Sequence, residues 1–290
     1  MKISDILDTK KLSLERKRSL SGYIFCLPVI IGLIAFQFYP LITSFRLSFG
    51  DVVDLSGLKT VWVGFANYEN VLFGEVDFFM KFVDTAVQTF VYTPFVVVIA
   101  IVVALLLNQK IKGRSFFRVI FFLPVLLGSG VIMQQLGAAA NIMQMPAAVQ
   151  GYVNNYFNAD IAKVINDILS EVIRLFWDAG VQIIILLGGL QSIPDSYYEA
   201  ARVDNANSWD MMWKITLPIL SPMIFLTVIY SLINSFRSES NQISEYIITT
   251  GFKNSEYEIG AAMGWLYFLI VGIVVGIATL AFRRYVYYEK

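Results

Sequence analysis

The chain has no histidine and a single cysteine, Cys26, which lies inside an apolar run. Without imidazole there is no Ser/His/Asp or Cys/His relay and no histidine metal site, and one thiol makes no intrachain disulfide. Charge is also scarce. Only 15% of residues are Asp, Glu, Lys or Arg, against about 25% in a soluble domain. The 22 basic and 22 acidic residues cancel, which leaves no electrostatic footprint for nucleic acid. The G-x-x-x-x-G-K-[ST] phosphate loop is missing, so any ATP hydrolysis must come from another polypeptide. No internal repeat or linker marks a second domain, and no nucleophile, base and metal ligands converge, so the chain is not read as an enzyme. What it has in abundance is apolar surface. Hydrophobic residues make up 57% of the chain, too many for one soluble core and typical of a multi-span membrane protein.

Crossing about 30 Å of hydrocarbon takes roughly 20 helical residues. Charge-free runs of that length extend from Ser19 to Phe45, Thr85 to Gln109, Val119 to about Ala140, Ile215 to Phe236 and Ile259 to Phe282. A sixth, Ala179 to Pro194, has about 16 residues and reaches only about 24 Å unless its helix extends back through Asp178 and Arg174. Lys10, Lys11, Arg16, Lys17 and Arg18 precede the first run, Lys110, Lys112, Arg114 and Arg118 fill the second connection, and Arg283, Arg284 and Lys290 follow the last. This distribution predicts an even number of spans with both termini cytoplasmic. The first run is too long for a signal peptide and lacks a small-residue cleavage pattern, so it reads as a retained anchor. The expected outer loops are Gly50 to Lys81, Asn141 to Glu171 and Arg237 to Glu258. In the second of these, Ile161, Val164, Ile165, Ile168 and Leu169 have the spacing of a helix lying at the outer surface. The expected fold is therefore an all-α polytopic membrane protein of six transmembrane helices. A cytoplasmic segment, residues 1–19, precedes a transmembrane domain, residues 20–290.

Between the fourth and fifth runs lies SIPDSYYEAARVDNANSWDMMWKITLPILSP, Ser192 to Pro222. Ser196 and Glu199 form an S-x-x-E capping box after Pro194, which predicts a helix start. Asn205 is placed to end that helix in the left-handed conformation, and Ser208 to cap a second short helix running to about Thr216. Tyr197, Tyr198, Trp209 and Trp213 alternate with Glu199, Arg202, Asp204, Asp210 and Lys214. A rigid helix pair offering aromatics beside charges suits docking to a soluble partner better than it suits an ordinary solvated loop.

EAARVDNA followed by ITLP resembles the EAA signature of the membrane subunits of ABC importers. Glu199, Ala200, Ala201, Ile215, Leu217 and Pro218 match it, and Asn205 stands where the signature has Gly. YIFCLPVIIGLIAFQFYPLITSFRLSF, VGFANYENVL, LLLNQKIKGRSFFRVIFFLP and GLQSIPDSYYEAA are similar to carbohydrate importers of the maltose and glycerol-phosphate type. The resemblance implies a type I importer permease in a bacterial inner membrane, with coupling helices at about residues 194–218. It also implies that the chain pairs with a second homologous permease, two ATPase subunits and an extracellular solute-binding protein. The chain itself would then hold no cofactor, with ATP and magnesium in the ATPase. Glu199, Ala200, Ala201, Asp204 and Asn205 would form the ATPase-coupling set, with Glu199 facing the ATPase and Ala200 and Ala201 allowing close helix packing.

Ionisable residues in a span face a cavity or a partner. Arg174 and Asp178 stand four residues apart on one predicted face with Trp177 and Val181. Two readings stand here: a mutual salt bridge near the outer interface, with Trp177 as a belt anchor, or the wall of a sugar path. In the second reading, charge at these positions points to an acidic or highly polar oligosaccharide. Ser231, Asn234 and Ser235, with Arg237 and Glu239 beyond them, serve either helix association or solute contact. Gly188, Gly189, Gly272 and Gly276 read as close-packing positions. The substrate path is thus assigned to Arg174, Trp177, Asp178, Val181, Asn234 and Arg237. The alternatives are an importer for a non-sugar solute, or an ion-coupled secondary transporter. The latter needs intramembrane carboxylates or broken helices as an ion site, and usually internal pseudo-repeats; only Asp178 is a good candidate and no repeat is evident.

Overall fold

The structure is a computed structural model and describes residues 14–54, 59–109, 113–127, 146–237 and 241–283. Lys10, Lys11, Lys110, Lys112, Glu239, Arg284, Lys290 and the second half of the third expected span lie outside the described residues.

In chain order the elements are α1 (Leu14–Leu33), α2 (Tyr39–Leu47), β1 (Gly50–Asp54), β2 (Lys59–Trp62), α3 (Ala66–Glu69), α4 (Val76–Asn108), α5 (Arg114–Leu127), α6 (Ala147–Tyr156), α7 (Ala159–Asp178), α8 (Gly180–Ser192), α9 (Asp195–Val203), α10 (Ser208–Met211), α11 (Leu217–Arg237), α12 (Gln242–Ile248) and α13 (Tyr257–Phe282). Among the described residues, Gly22–Leu47, Val76–Asn108, Ser208–Arg237 and Tyr257–Phe282 are each long and apolar enough to cross a bilayer. α7 and α8, joined at a 53° bend, make a fifth when taken as one span.

The bend resolves the short fourth run. The helix does extend back through Asp178 and Arg174, but it turns at Ala179. Ile161, Val164, Ile165, Ile168 and Leu169, expected on a helix at the outer surface, belong to α7, the same helix as Arg174 and Asp178. Asn158 starts it: its side chain accepts from the Ile161 amide at 3.0 Å, the standard Asn cap worth about 1 kcal/mol.

Two compact units form, residues 1–79 with 245–268 and residues 80–244 with 269–290. In the first, β1 and β2 pair as an antiparallel hairpin, with Gly50 opposite Trp62, inside what the sequence offered only as an outer loop. Phe49 stacks on Trp62 at 5.3 Å, and Phe65 and Tyr68 pack about it. The Asn67 amide donates to the Ser48 and Gly50 carbonyls and closes the hairpin end. Gly260 is required nearby, because a Cβ there would stand 2.6 Å from Gly251 Cα.

The second unit has the larger core. Val96, Ala100, Val103, Ala104 and Leu107 recur at three- and four-residue intervals on α4, one stripe of a helix. They meet Leu175, Ile183, Leu186 and Leu190 of α7 and α8, with Leu220 of α11. α8 and α11 approach closely at Gly189, where a Cβ would lie 2.6 Å from Met223 Cγ and 2.8 Å from Leu220 Cδ1. Among the described residues, a Cβ at Gly188, Gly272 or Gly276 would meet nothing within 4 Å, and of the four expected packing glycines Gly189 alone has that role there.

Candidate functional site: a polar cleft between helices and an exposed helical turn

Polar residues interrupt the apolar surface of α4 at Thr85, Gln88, Thr89, Tyr92 and Thr93. That spacing puts them on one helical face. They line a cleft of about 190 Å³ together with Arg174 and Asp178 of α7, Gln182 of α8, and Ser231, Asn234 and Ser235 of α11. Asn241 closes one end. Its carboxamide oxygen accepts from Thr85 Oγ1 at 2.7 Å and from the Ile243 amide at 3.1 Å, while its nitrogen donates to the Phe236 carbonyl. Thr89 and Ser235 hydroxyls lie 2.9 Å apart, tying α4 to α11.

The bend at Ala179 turns Gln182 into the cleft wall, where it is 1% exposed. Its Nε2 donates to Ser231 Oγ at 3.0 Å, but its Oε1 has no partner. Thr93 Oγ1, on the facing helix and also buried, has none either. Buried polar atoms without partners cost roughly 1–3 kcal/mol each. Two lining the same cleft mark a surface suited to a hydroxyl-rich ligand that would satisfy both.

Arg174 and Asp178 do not pair with each other, so the mutual salt bridge is corrected. Arg174 donates to Glu171 at 2.7 Å, and its guanidinium carbon lies 4.6 Å from the centre of the Tyr92 ring. Asp178 accepts from the Tyr92 hydroxyl at 2.8 Å. The tyrosine thus separates the two charges, its face against the cation and its hydroxyl on the carboxylate. Of the six residues assigned to the path from sequence, the cleft gathers Arg174, Asp178 and Asn234. Trp177 and Val181 are half-buried and outside the lining, and Arg237 is an exposed residue at the end of α11. For Val181 the break at Ala179 is the reason, since it lies beyond the end of α7; Trp177 precedes the break and points about 100° around the helix from Asp178. Sequence reasoning missed the α4 stripe and Gln182, although polar residues at three- and four-residue intervals inside a charge-free run were there to be read. A larger cleft of about 900 Å³, in the other unit, is lined mostly by apolar residues such as Phe36, Leu47, Ile247 and Trp265 and gathers no comparable polar set.

At the other candidate site, α9 begins at Asp195 after Pro194, without a side-chain cap. Ser196 falls inside the first turn and the capping box does not form. Proline supplies the start, since its fixed φ and missing N–H suit the entry of a helix. The helix ends as expected at Asn205, whose φ of +57° is left-handed. The Ala206 amide donates to the Ala201 carbonyl at 2.9 Å and the Asn205 amide to the Arg202 carbonyl at 3.1 Å, the paired bonds of a Schellman turn. Asn207, not Ser208, caps α10, its side chain accepting from the Asp210 amide at 2.8 Å. α10 passes through a wide turn, Met212–Thr216, straight into α11. Tyr198 and Thr216 hydroxyls meet at 3.1 Å, fastening α9 to the base of that span. Glu199, Ala200, Asp204 and Asn205 are exposed, and Ala201 is half-buried. Val203 is 82% exposed, an apolar residue left uncovered beside them.

Residues 71–288 match the family described as binding-protein-dependent transport system inner membrane component. The chain is 28% identical to the probable ABC transporter permease protein YesP of Bacillus subtilis, covering 97% of this chain and 96% of that one. It is 27% identical to the multiple sugar-binding transport system permease protein MsmF of Streptococcus mutans, covering 87% and 92%. Among solved structures, a bacterial ABC transporter involved in the import of the acidic polysaccharide alginate aligns with a TM-score of 0.67 at 23% identity, over 93% of this chain and 97% of that one. The family match covers most of the chain, and the fold agrees: this protein belongs to the binding-protein-dependent transport system inner membrane components.

Proposed function

We propose that the chain is the membrane-spanning permease of an ATP-driven carbohydrate importer, forming half of the path for an oligosaccharide. The observation that carries this reading is the cleft in which Gln182 Oε1 and Thr93 Oγ1 stand buried and unpartnered beside hydroxyls and carboxamides from three helices. A sugar ring offers hydroxyls that both donate and accept, which suits such a wall. The volume of about 190 Å³ falls below the roughly 300–1,000 Å³ of a complete ligand pocket, as expected of one half completed by a second permease. The names of the relatives point the same way, with MsmF described as sugar-binding and two close in sequence described as arabinooligosaccharide permeases.

In this proposal six spans cross the bacterial inner membrane with both termini cytoplasmic, and α9 and α10 face the cytoplasm as coupling helices. Two ATPase subunits dock there, with Glu199, Ala200, Ala201, Asp204 and Asn205 against them. ATP and magnesium reside in those subunits, and this chain performs no chemistry. ATP-driven closure draws the coupling helices together and opens the path outward to a loaded binding protein. The experiment is purification of the importer, followed by uptake of labelled oligosaccharides into proteoliposomes. ATP-dependent uptake that is lost on Glu199→Lys, with the permease still folded, supports the reading. Transport by this chain alone, without an ATPase, or uptake restricted to a non-sugar solute, refutes it.

A further inference from the structure

Arg174 reaches the cleft, yet its salt-bridge partner comes from outside it. Glu171 is absent from the lining, and the two side chains are 49% and 48% exposed. Exposed pairs three residues apart on a helix contribute little. The carboxylate that lies inside the cleft, Asp178, is engaged by the Tyr92 hydroxyl. The same ring lies against the guanidinium, which restrains the fork and keeps its edges available for a planar, two-pronged acceptor. The site therefore contains an oriented cation, a weak external partner, and a tyrosine that holds the internal carboxylate apart from it.

We propose that Arg174 is the receptor for a carboxylate carried by the transported saccharide, and that Glu171 occupies this receptor in the absence of solute. The inference rests on the carbohydrate reading and names its class: oligosaccharides containing uronic acids. A solute carboxylate takes two N–H donors of Arg174, and Glu171 swings into water. The exchange conserves charge at Arg174, and Gln182 and Thr93 remain for the ring hydroxyls. A neutral sugar makes no such exchange and leaves the Arg174–Glu171 pair intact.

The test uses the assembled importer, with partner permease, ATPase subunits and binding protein, in proteoliposomes. The probes are trisaccharides of galacturonate, glucuronate and mannuronate, each as the free acid and as the methyl ester, with maltotriose as a neutral control. Each variant is compared with the unaltered chain on the same sugar, so the binding protein's own preference cancels. Arg174→Gln is expected to lower kcat/KM for the acid form about tenfold to hundredfold, the range of a charge-assisted two-bond contact, and that for the ester by a clearly smaller factor, because only the acid presents a charge to the lost guanidinium. Arg174→Lys, which keeps the charge but loses the fork, is expected to recover only part of the loss. Glu171→Gln removes the competitor and is expected to lower KM for the acid. Uptake of neutral sugars alone, or equal losses for acid and ester in the Arg174 variants, overturns the inference while the importer reading stands. If no saccharide in either form is carried but another solute is, both fall.

Discussion

Asn205 gives the most direct test of how the exposed turn is built. Its φ of +57° is available to Asn because a short polar side chain is tolerated there, whereas other L-residues lose about 1–2 kcal/mol in the left-handed region. Asn205→Val places a β-branched side chain in that conformation and is expected to weaken the turn by about that amount, raising its open population roughly tenfold or somewhat more. Asn205→Gly removes the steric penalty but adds backbone entropy of about 0.5–1 kcal/mol, so the two effects nearly offset. The reporter is the Ala206 amide, which the turn holds on the Ala201 carbonyl at 2.9 Å. Hydrogen exchange read by mass spectrometry on a peptide spanning residues 200–210 should show faster exchange at this amide for Val and near-native exchange for Gly. Unchanged protection in the Val variant, or loss of protection in the Gly variant, would show that the turn does not depend on this backbone conformation. ATPase co-purification provides a second readout, expected to fall with Val and persist with Gly.

Gln182→Leu should leave thermal stability within about 1 kcal/mol, because it removes one partner of Ser231 along with an unsatisfied buried oxygen, yet oligosaccharide uptake should fall; unaffected uptake would take Gln182 out of the path. Gly189→Leu is expected to cost roughly 1–3 kcal/mol through overpacking against Met223 and Leu220, read as a lower midpoint in a detergent melt, whereas a Cβ at Gly188 meets no described atom within 4 Å and Gly188→Leu should cost much less. On α12, burial first, and then the Glu75 carboxylate that its hydroxyl donates to at 2.6 Å, push the Tyr246 phenol from 10.0 up to about 12. A pKa raised on folding gives stability that is fully present below pH 10 and is lost as pH climbs towards 12. Phenolate absorbance in Tyr246→Phe against the unaltered chain should therefore lack one late-titrating group, and an equal titration curve would refute the assignment.

Where one physical signal dominates, the sequence was readable. Long charge-free runs located four of the helices able to cross a bilayer because lipid forces the backbone to satisfy itself as helix. Asn205 was readable because left-handed positions admit few residues. The site was readable only in part. Arg174, Asp178 and Asn234 stood out by polarity, but their partners depend on where the helix breaks, and nothing in the Ala179–Gly180 pair states an angle. Val181 followed from an unbroken face that the bend removes, and Trp177 from its closeness in sequence to Asp178, although adjacent helical residues point about 100° apart. Local capping was misassigned for a related reason: Ser196 and Ser208 fit the cap pattern, but Pro194 and Asn207, one or two residues earlier, reach the helix ends first. The β1–β2 hairpin was hidden because its pairing joins residues whose alternation is short and lies between two stronger apolar signals.

The unbroken passage from α10 through Met212–Thr216 into α11 makes one continuous rod of Ser208–Arg237, with Pro222 inside it and the Tyr198–Thr216 contact near its base. Ser231, Asn234 and Ser235 ride on the far part of that rod. From Leu217 to Asn234 the axial distance is about 26 Å at 1.5 Å per residue, so tilting the rod by about 5° about its base displaces the cleft end by roughly 2 Å. A displacement of that size is comparable to the difference between a made and a broken hydrogen bond. The helix would then act as a lever arm, converting a small angular input at one end into the release or capture of a hydroxyl at the other.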